Sequence, residues 1–579
     1  MVLNANFGIV LTRVFTILNK FINQRSQRIS SAALTVAFFG LISRLFGIWR
    51  DRLLAGKFGA GQMLDIYYAA FKIPDLVYGL LIIGAISSAF LPVFYEYSSK
   101  DKNEALKFAS NVLNVLILSL LFLSVILILF APQLISFIAP GFNQEALDLT
   151  IKISRILFIS PLFLGISALI SSLLQAYSRF LITSLAPIFY NLGIIFGIIF
   201  LTPYYGIWGL AYGVILGAFL HFVIQIPSLL SMGFKPKIIL DFKNPGLIKV
   251  IKLWFPRTLG LLALEINSIV AIAIASSLTV GSITIFNFAD NLRWVPIGLI
   301  GVAFSTAAFP ALSLAYARGQ KDLFLKRFSL AVRQTLFIVL PLSFLFFILR
   351  AQIVRIVLGT GQFGWEATRL TAASLGIFAF GIFAAALLPL FTRAFFSFHN
   401  TKTPVFINIF SMIFNIVLSF LFVGAILKFP FLRLWLQGIM KLNDINGIAI
   451  LGLPLAVTIA NITNLAWHWL DLKKHVGDFG IVEIKKSFYK IFISSIIAAI
   501  FTYTGLYFFS FFFNTRTFLG LFFQTLGAAG VGSVAYLLIV YALKMEEILM
   551  LNVSETILNW RGIKKPEPVP AGESLDDQY

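Results

Sequence analysis

The chain has 579 residues, of which 59% are apolar and only 12% charged, and its mean hydropathy is +0.93. A soluble chain carries about twice that charge fraction, so the composition excludes an ordinary cytosolic enzyme and a disordered chain, and the absence of cysteine excludes a disulfide-stapled domain and thiolate metal sites. The formal net charge of +21 would point to nucleic acid on a soluble protein, but here it lies mostly in short loops between long apolar runs, where it reads as a topology signal.

Within Phe7–Asn23, Thr12, Arg13, Thr16, Asn19, Lys20 and Asn23 fall at helical spacing opposite Val10, Leu11, Val14, Phe15, Leu18, Phe21 and Ile22. That pattern predicts an amphipathic interfacial segment over residues 1–29. The runs that follow are continuous rather than alternating, which argues against a membrane barrel. They predict an all-α polytopic membrane protein with about fourteen transmembrane helices. The spans lie near 30–56, 65–95, 107–131, 146–177, 181–202, 206–231, 247–279, 283–316, 324–349, 366–397, 403–427, 447–470, 487–513 and 517–543. Between spans eleven and twelve, residues 428–446 form an insert in which Phe429, Phe431, Leu434 and Trp435 suggest a short interfacial helix. Residues 546–579 read as a polar tail.

Lysine and arginine orient the chain. With the amino terminus and every second loop on one side, that side collects about 28 basic residues, Lys100, Lys102, Lys235, Lys237, Arg318, Lys321, Lys473 and Lys474 among them, against about 10 on the other. Both termini are therefore expected in the cytoplasm.

A faint repeat joins the two halves. Gly79-Leu-Leu-Ile-Ile-Gly84 leads to Ser87-Ser-Ala-Phe-Leu-Pro92, and Gly298-Leu-Ile-Gly301 leads to Ser305-Thr-Ala-Ala-Phe-Pro310. Six spans separate the copies, so they share an orientation. This is a parallel transporter repeat, with a six-helix lobe over 30–232, a second over 233–475, and two further helices over 476–545.

Catalytic motifs are nearly absent, and the expectation is a non-enzyme without cofactors or metal. The one GxGxxG match, Gly359-Thr-Gly361-Gln-Phe-Gly364, opens no βαβ unit and reads as a tight turn. The four histidines, His221, His399, His468 and His475, are scattered and suit packing better than ligation.

The informative residues are charges inside spans, where each costs at least a few kcal/mol unless it faces a cavity or a partner. Span one carries Arg44, Arg50, Asp51 and Arg52. Arg44 and Asp51 are seven apart on one helix face, and Gly40 and Gly47 offer a face for close helix approach. Span two opens with Asp65 and carries Lys72 just before Ile73-Pro74-Asp75. Arg44, Arg50, Lys72, Asp51 and Asp65 can thus line one hydrated cavity suited to an anionic head group. Interfacial snorkelling is the other reading of Arg50, Asp51 and Arg52. Span seven carries Arg257, Glu265 and Asn267, and span eight carries Asp290, Asn291 and Arg293. Asp290 and Arg293, one turn apart, either pair with each other or face the same cavity.

These residues resemble a known family. Ser43-Arg-Leu-Phe-Gly-Ile-Trp-Arg-Asp51, Phe58-Gly-Ala-Gly61 with Asp65, and Ala70-Phe-Lys-Ile-Pro74 look like the first two spans of the MurJ (MviN) flippases. So do Phe288-Ala-Asp290 with Pro296-Ile-Gly-Leu-Ile-Gly301, and Arg393-Ala-Phe-Phe with Thr401-Lys-Thr-Pro404. The resemblance implies membership of the multidrug/oligosaccharidyl-lipid/polysaccharide exporter superfamily. It implies a bacterial inner-membrane protein that moves lipid II, the undecaprenyl-pyrophosphate-linked disaccharide-peptide, to the outer leaflet by alternating access through a cationic cavity. It also implies a lipid-tail groove on spans thirteen and fourteen. The family's cavity arginines match Arg44 and Arg50, and their acidic neighbours match Asp51 and Asp65.

With Lys72, Asn291 and Arg293 these make the expected substrate-binding set, and Asp290, Glu265 and Arg257 are expected to gate or assist. The chain departs from the family at Tyr78-Gly79, Ile83, Ala271 and Asn400, and Asn291 stands where members carry an arginine. Expected partners are lipid II, membrane lipids and cell-wall synthesis proteins, with no nucleic acid, and the chain is expected to be a monomer. The alternatives are a flippase for another polyprenyl-linked saccharide, a drug/cation antiporter of the same superfamily, and a non-transporting scaffold for cell-wall assembly.

Overall fold

A computed structural model describes residues 29–80 and 87–549. The amphipathic segment expected before residue 29, part of the first repeat copy and the tail beyond residue 549 lie outside the described residues. The described chain is helical, with no strand among its described residues. It divides into two compact units, residues 1–284 with 357–364, and residues 285–356 with 365–579.

The first unit contains α1 (Ile29–Phe58), α2 (Gln62–Tyr78), α3 (Ser87–Ser98), α4 (Lys102–Leu129), α5 (Ala131–Ile138), α6 (Gln144–Leu157), α7 (Ser160–Ala176), α8 (Phe180–Phe196), α9 (Thr202–Tyr205), α10 (Ile207–Val223), α11 (Ile226–Ser231) and α12 (Pro245–Ser276). Local chemistry sets several starts. Asp101 accepts from the Asn103 N–H before α4, Asn143 accepts from the Ala146 N–H before α6, and Asn244 caps α12 with Pro245 at its first position. The core stacks Phe90, Phe94 and Phe108 of α3 and α4 on Leu169 and Leu173 of α7 and on Phe234.

Glycines let α8 and α10 meet backbone to backbone. A Cβ on Gly193 would lie 2.3 Å from the Gly217 Cα, and one on Gly197 would lie 2.5 Å from the Gly213 Cα. Glycines four apart on both helices make the contact possible. The close approach expected at Gly40 and Gly47 is not made among the described residues, since a Cβ at either would meet none of their atoms within 4 Å.

The second unit holds most of α13 (Ser282–Pro296), then α14 (Ala303–Ala317), α15 (Lys321–Ile348), α16 (Arg350–Val357), α17 (Trp365–Ala379), α18 (Ile382–Ser397), α19 (Lys402–Lys428), α20 (Pro430–Met440), α21 (Gly452–Val476), α22 (Ile481–Ser510), α23 (Phe518–Ala542) and α24 (Glu546–Leu549). Its core gathers Phe324, Phe328, Phe391, Phe395 and Phe479. α17 and α18 form one span bent by 47°. At the break the Ile377 carbonyl accepts from the Phe380 N–H at 3.3 Å and from the Thr458 hydroxyl at 3.1 Å. α20 occupies the expected insert, with Phe429, Phe431, Leu434 and Trp435 exposed. Both repeat copies turn π-helical at their glycines, at Gly79–Leu80 and over Ile297–Val302.

Among the described residues, ten helices are long and apolar enough to cross a membrane, and the bent pair makes eleven. The expected first, second and seventh spans each include residues or side chains outside the described set and are not counted among these. The first and seventh are long helices, of 30 and 32 residues. These three spans carry Arg44, Arg50, Asp51, Asp65, Lys72 and Glu265.

The segment 357–364 belongs with α1. The Gln362 N–H donates to the Gly56 carbonyl at 2.9 Å, and an Arg52 N–H donates to the Val357 carbonyl at 3.4 Å. Gly361 sits at φ +54°, and a Cβ there would lie 2.2 Å from the Gly56 oxygen. The GxGxxG match is therefore a turn that clasps a helix end.

Candidate functional site

In the first unit the intraspan charges are drawn into two groups. On α1, Arg50 curls back on its neighbour, its Nε and one terminal nitrogen donating to Asp51 Oδ1 at 3.0 and 2.8 Å. Its other terminal nitrogen donates to Asn191 Oδ1 on α8 at 3.2 Å. Asn191 in turn donates to the Pro187 carbonyl at 3.1 Å and reaches the Ser43 carbonyl at 3.4 Å, which fixes the amide between α1 and α8. Asp51 is buried and Arg50 half-buried, so solvation lost by the pair is replaced by three charge-assisted bonds.

The second group joins α2 to α12. Lys72, only 7% exposed, donates from Nζ to Glu265 Oε2 at 3.0 Å and to Asp75 Oδ2 at 3.4 Å. The missing side chain of Gly79 makes room for this acid, since a Cβ there would lie 3.1 Å from Glu265 Oε1.

Asp65 does not join either group. Its carboxylate is 4% exposed and accepts three hydrogen bonds: from the Gly281 N–H at 2.6 Å, the Thr284 N–H at 2.8 Å and the Thr284 hydroxyl at 2.7 Å. It caps the turn that opens α13, satisfying backbone donors that a helix start leaves free and placing negative charge at the positive end of the helix dipole. Gly281 at φ +91° brings that turn close, and a Cβ there would strike the Ala60 carbonyl at 2.4 Å. Arg44 is exposed at the middle of α1. The side chain of Arg257 lies outside the described residues.

A chamber of about 240 Å³ opens beside Arg50. Tyr67, Tyr78 and Tyr190 supply aromatic wall, and Asp75, Ser160 and His221 supply polar atoms. α2, α7, α8 and α10 place these groups, and the glycine contact between α8 and α10 brings Tyr190 to within ring contact of His221, at 6.5 Å between centroids. His221 is buried, and its Nδ1 lies 2.6 Å from the Ser167 hydroxyl.

In the second unit, Arg293 pairs within its own helix. Its Nε donates to Asp290 Oδ1 at 2.6 Å, and its guanidinium lies 4.3 Å from the centroid of the Phe378 ring. Asn291 is exposed on the same helix. An apolar groove of about 380 Å³ runs between α15, α22 and α23, lined by Phe337, Pro341, Leu345, Ala498, Gly532 and Tyr536. The Tyr536 hydroxyl in that wall donates to the Phe337 carbonyl at 2.7 Å.

The structure therefore brings together Arg50 with Asp51, Lys72 with Glu265, and Arg293 with Asp290, and sets Asp65 apart as a cap. Asn191, Asp75, Tyr67, Tyr78 and Tyr190 were not singled out from sequence as site residues. The tyrosines lie in apolar runs where nothing local distinguishes a cavity wall from core.

A family model described as lipid II flippase MurJ matches residues 54–526. A probable lipid II flippase MurJ from Buchnera aphidicola subsp. Schizaphis graminum is 30% identical over 543 residues, covering 92% of this chain and 99% of that protein. The lipid II flippase MurJ of Burkholderia cenocepacia is 30% identical over 404 residues, covering 68% of this chain and 78% of that one. Among solved structures, lipid II flippase MurJ in an inward closed conformation superposes with a TM-score of 0.71 at 26% identity, covering 89% of this chain and all of the other. An inward-facing multidrug transporter of the MATE family shares the fold at a TM-score of 0.60 and 14% identity. Helical architecture, charged first, second and seventh helices, and matched sequence over most of the length lead to one assignment: the chain belongs to the MurJ lipid II flippase family.

Proposed function

We propose that the chain carries lipid II from the inner to the outer leaflet of the bacterial cytoplasmic membrane by alternating access, making and breaking no covalent bond. The observation that carries this reading is the placement of charge. Helices α1, α2 and α12 carry Arg44, Arg50, Asp51, Lys72 and Glu265 within their spans, and Arg50 and Lys72 are held in bonded geometries. Lipid II bears a pyrophosphate and a polar head that cannot cross about 30 Å of hydrocarbon unaided. Arg44, exposed at the middle of α1, is the cation proposed to meet the pyrophosphate, and Arg50, oriented by Asp51, the one proposed to meet the head group. Lys72, Asn291 and Arg293 serve the head group in supporting roles, Glu265 and Asp290 hold Lys72 and Arg293, and Arg257 assists gating. The apolar groove between α15, α22 and α23 suits the polyprenyl tail. The excess of lysine and arginine in the loops of one side supports cytoplasmic termini.

The test is outer-leaflet exposure of lipid II in bacteria whose own flippase is switched off and which express this chain. The native chain is expected to restore exposure and Arg44→Ala to abolish it. Restoration by both keeps the transport reading and removes the Arg44 assignment. No restoration, with the chain confirmed in the membrane of a compatible host, removes the transport reading.

A further inference from the structure

The chamber beside Arg50 has the wrong charge for a phosphate and the right surface for a sugar. Arg50 is committed to Asp51 and Asn191, and Lys72 to Glu265 and Asp75. The two groups together thus hold two cations against three carboxylates. A pyrophosphate entering here would meet no net positive charge and would face the Asp75 carboxylate, which is only half-buried on the chamber wall.

A neutral polyhydroxylated ring meets different surroundings. Tyr67, Tyr78 and Tyr190 present aromatic surface, whose negative π-face attracts the weakly positive C–H face of a pyranose. Asp75 accepts hydrogen bonds from hydroxyls, while Arg50 and His221 add polar edges that can orient a ring. The volume, about 240 Å³, lies below the roughly 300–1,000 Å³ that holds a drug-sized ligand and well above the roughly 30 Å³ of one water. It matches one sugar ring rather than a whole disaccharide-peptide.

We propose that this chamber is a subsite for one N-acetylhexosamine ring of the transported head group, with Tyr190 as its stacking platform and Asp75 as its hydroxyl acceptor. The proposal rests on the lipid II reading for the identity of the sugar but not for its chemistry. It divides recognition in two: the sugar is read by aromatic faces in the first unit, and the pyrophosphate by cations outside the chamber. Tyr190 stands where it does because α8 and α10 touch at glycine, so the platform is a product of that contact.

The test is saturation-transfer NMR on the full chain in lipid nanodiscs with the neutral disaccharide di-N-acetylchitobiose as probe. Ring protons of the probe are expected to receive saturation from the native chain. Tyr190→Ala is expected to weaken binding about five- to tenfold, and Tyr190→Phe, which keeps the face, to stay near native. Asp75→Asn provides a second variant on a half-buried residue, should Tyr190→Ala fold poorly, and is expected to weaken binding severalfold. Inorganic pyrophosphate at equal concentration is expected to leave the signal unchanged. Displacement by pyrophosphate, or native affinity in both Tyr190→Ala and Asp75→Asn, overturns the sugar subsite. A chain that restores lipid II exposure but binds no disaccharide loses the subsite and keeps the transport reading. A chain that binds the disaccharide with the expected variant pattern but moves no lipid II keeps a sugar chamber and loses the transport reading.

Discussion

Replacing Asp65 separates a structural cap from a substrate contact. Its carboxylate holds the Gly281 and Thr284 N–H groups and the Thr284 hydroxyl at 2.6 to 2.8 Å, in a site 4% exposed. Asp65→Ala leaves two buried backbone donors without an acceptor, at about 1–3 kcal/mol each, and so costs roughly 2–6 kcal/mol. Asp65→Asn is expected to be intermediate. Its oxygen can keep the two Thr284 bonds, but its amide NH₂ then faces the Gly281 N–H, donor against donor. Thr284→Ala removes the hydroxyl alone and is expected to cost about 1 kcal/mol. The order native, Thr284→Ala, Asp65→Asn, Asp65→Ala should appear in the temperature at which the detergent-purified chain loses its monodisperse elution peak. Transport per folded molecule should change little along the series. Native thermal stability in Asp65→Ala together with lost transport would refute the cap and return Asp65 to the substrate.

Gly213→Val places branched carbon where a single Cβ already lies 2.7 Å from the Gly197 Cα, so α8 and α10 must part; a loss of about 1–3 kcal/mol in thermal stability and weakened disaccharide binding are expected together. Glu265→Gln leaves Lys72 with Asp75 alone, and a double-mutant cycle with Lys72→Met should give a coupling of about 1–3 kcal/mol, against zero if the 3.0 Å contact is incidental. Glu547, 3% exposed, accepts from Ser487 and from Arg333, so Glu547→Ala should lower stability by about 1–3 kcal/mol; a truncation before Glu546 should match it, and native stability in both would remove the contact from the fold.

Much of this molecule could be read from its sequence, because membrane helices announce themselves by long apolar runs and by the cost of any charge within them. Arg44, Arg50, Asp51, Lys72, Glu265 and Arg293 stood out for that reason. Their partners did not. Lys72 and Glu265 are 193 positions apart, Arg50 and Asn191 are 141 apart, and Asp65 and Gly281 are 216 apart. Helical periodicity says which face a residue occupies, not which distant helix meets it. Arg44 and Asp51 share a face by spacing, but spacing gave no sign that the adjacent Arg50 also bonds Asp51, its long side chain bending back along the helix. The glycine series Gly193, Gly197 and Gly209, Gly213, Gly217 carried a readable signal at four-residue spacing, whereas Gly40 and Gly47 offered a similar cue and make no close contact among the described residues. Asp65 drew notice because an acid in a span is expensive, and nothing local could reveal that its charge sits on a distant helix start.

The clasp between Gly56 and residues 357–364 has a consequence for biosynthesis. The first helix enters the membrane early, but the segment that completes its unit lies about 80 residues beyond Thr284. At roughly 5–20 residues per second of synthesis, that segment follows by on the order of 4–16 s. During this interval the Gly56 carbonyl and the end of α1 lack the loop that will cover them. The nascent first half is thus kept incomplete until part of the second half has been made, and a chain released before residue 364 leaves α1 unclasped for the cell's quality control to find.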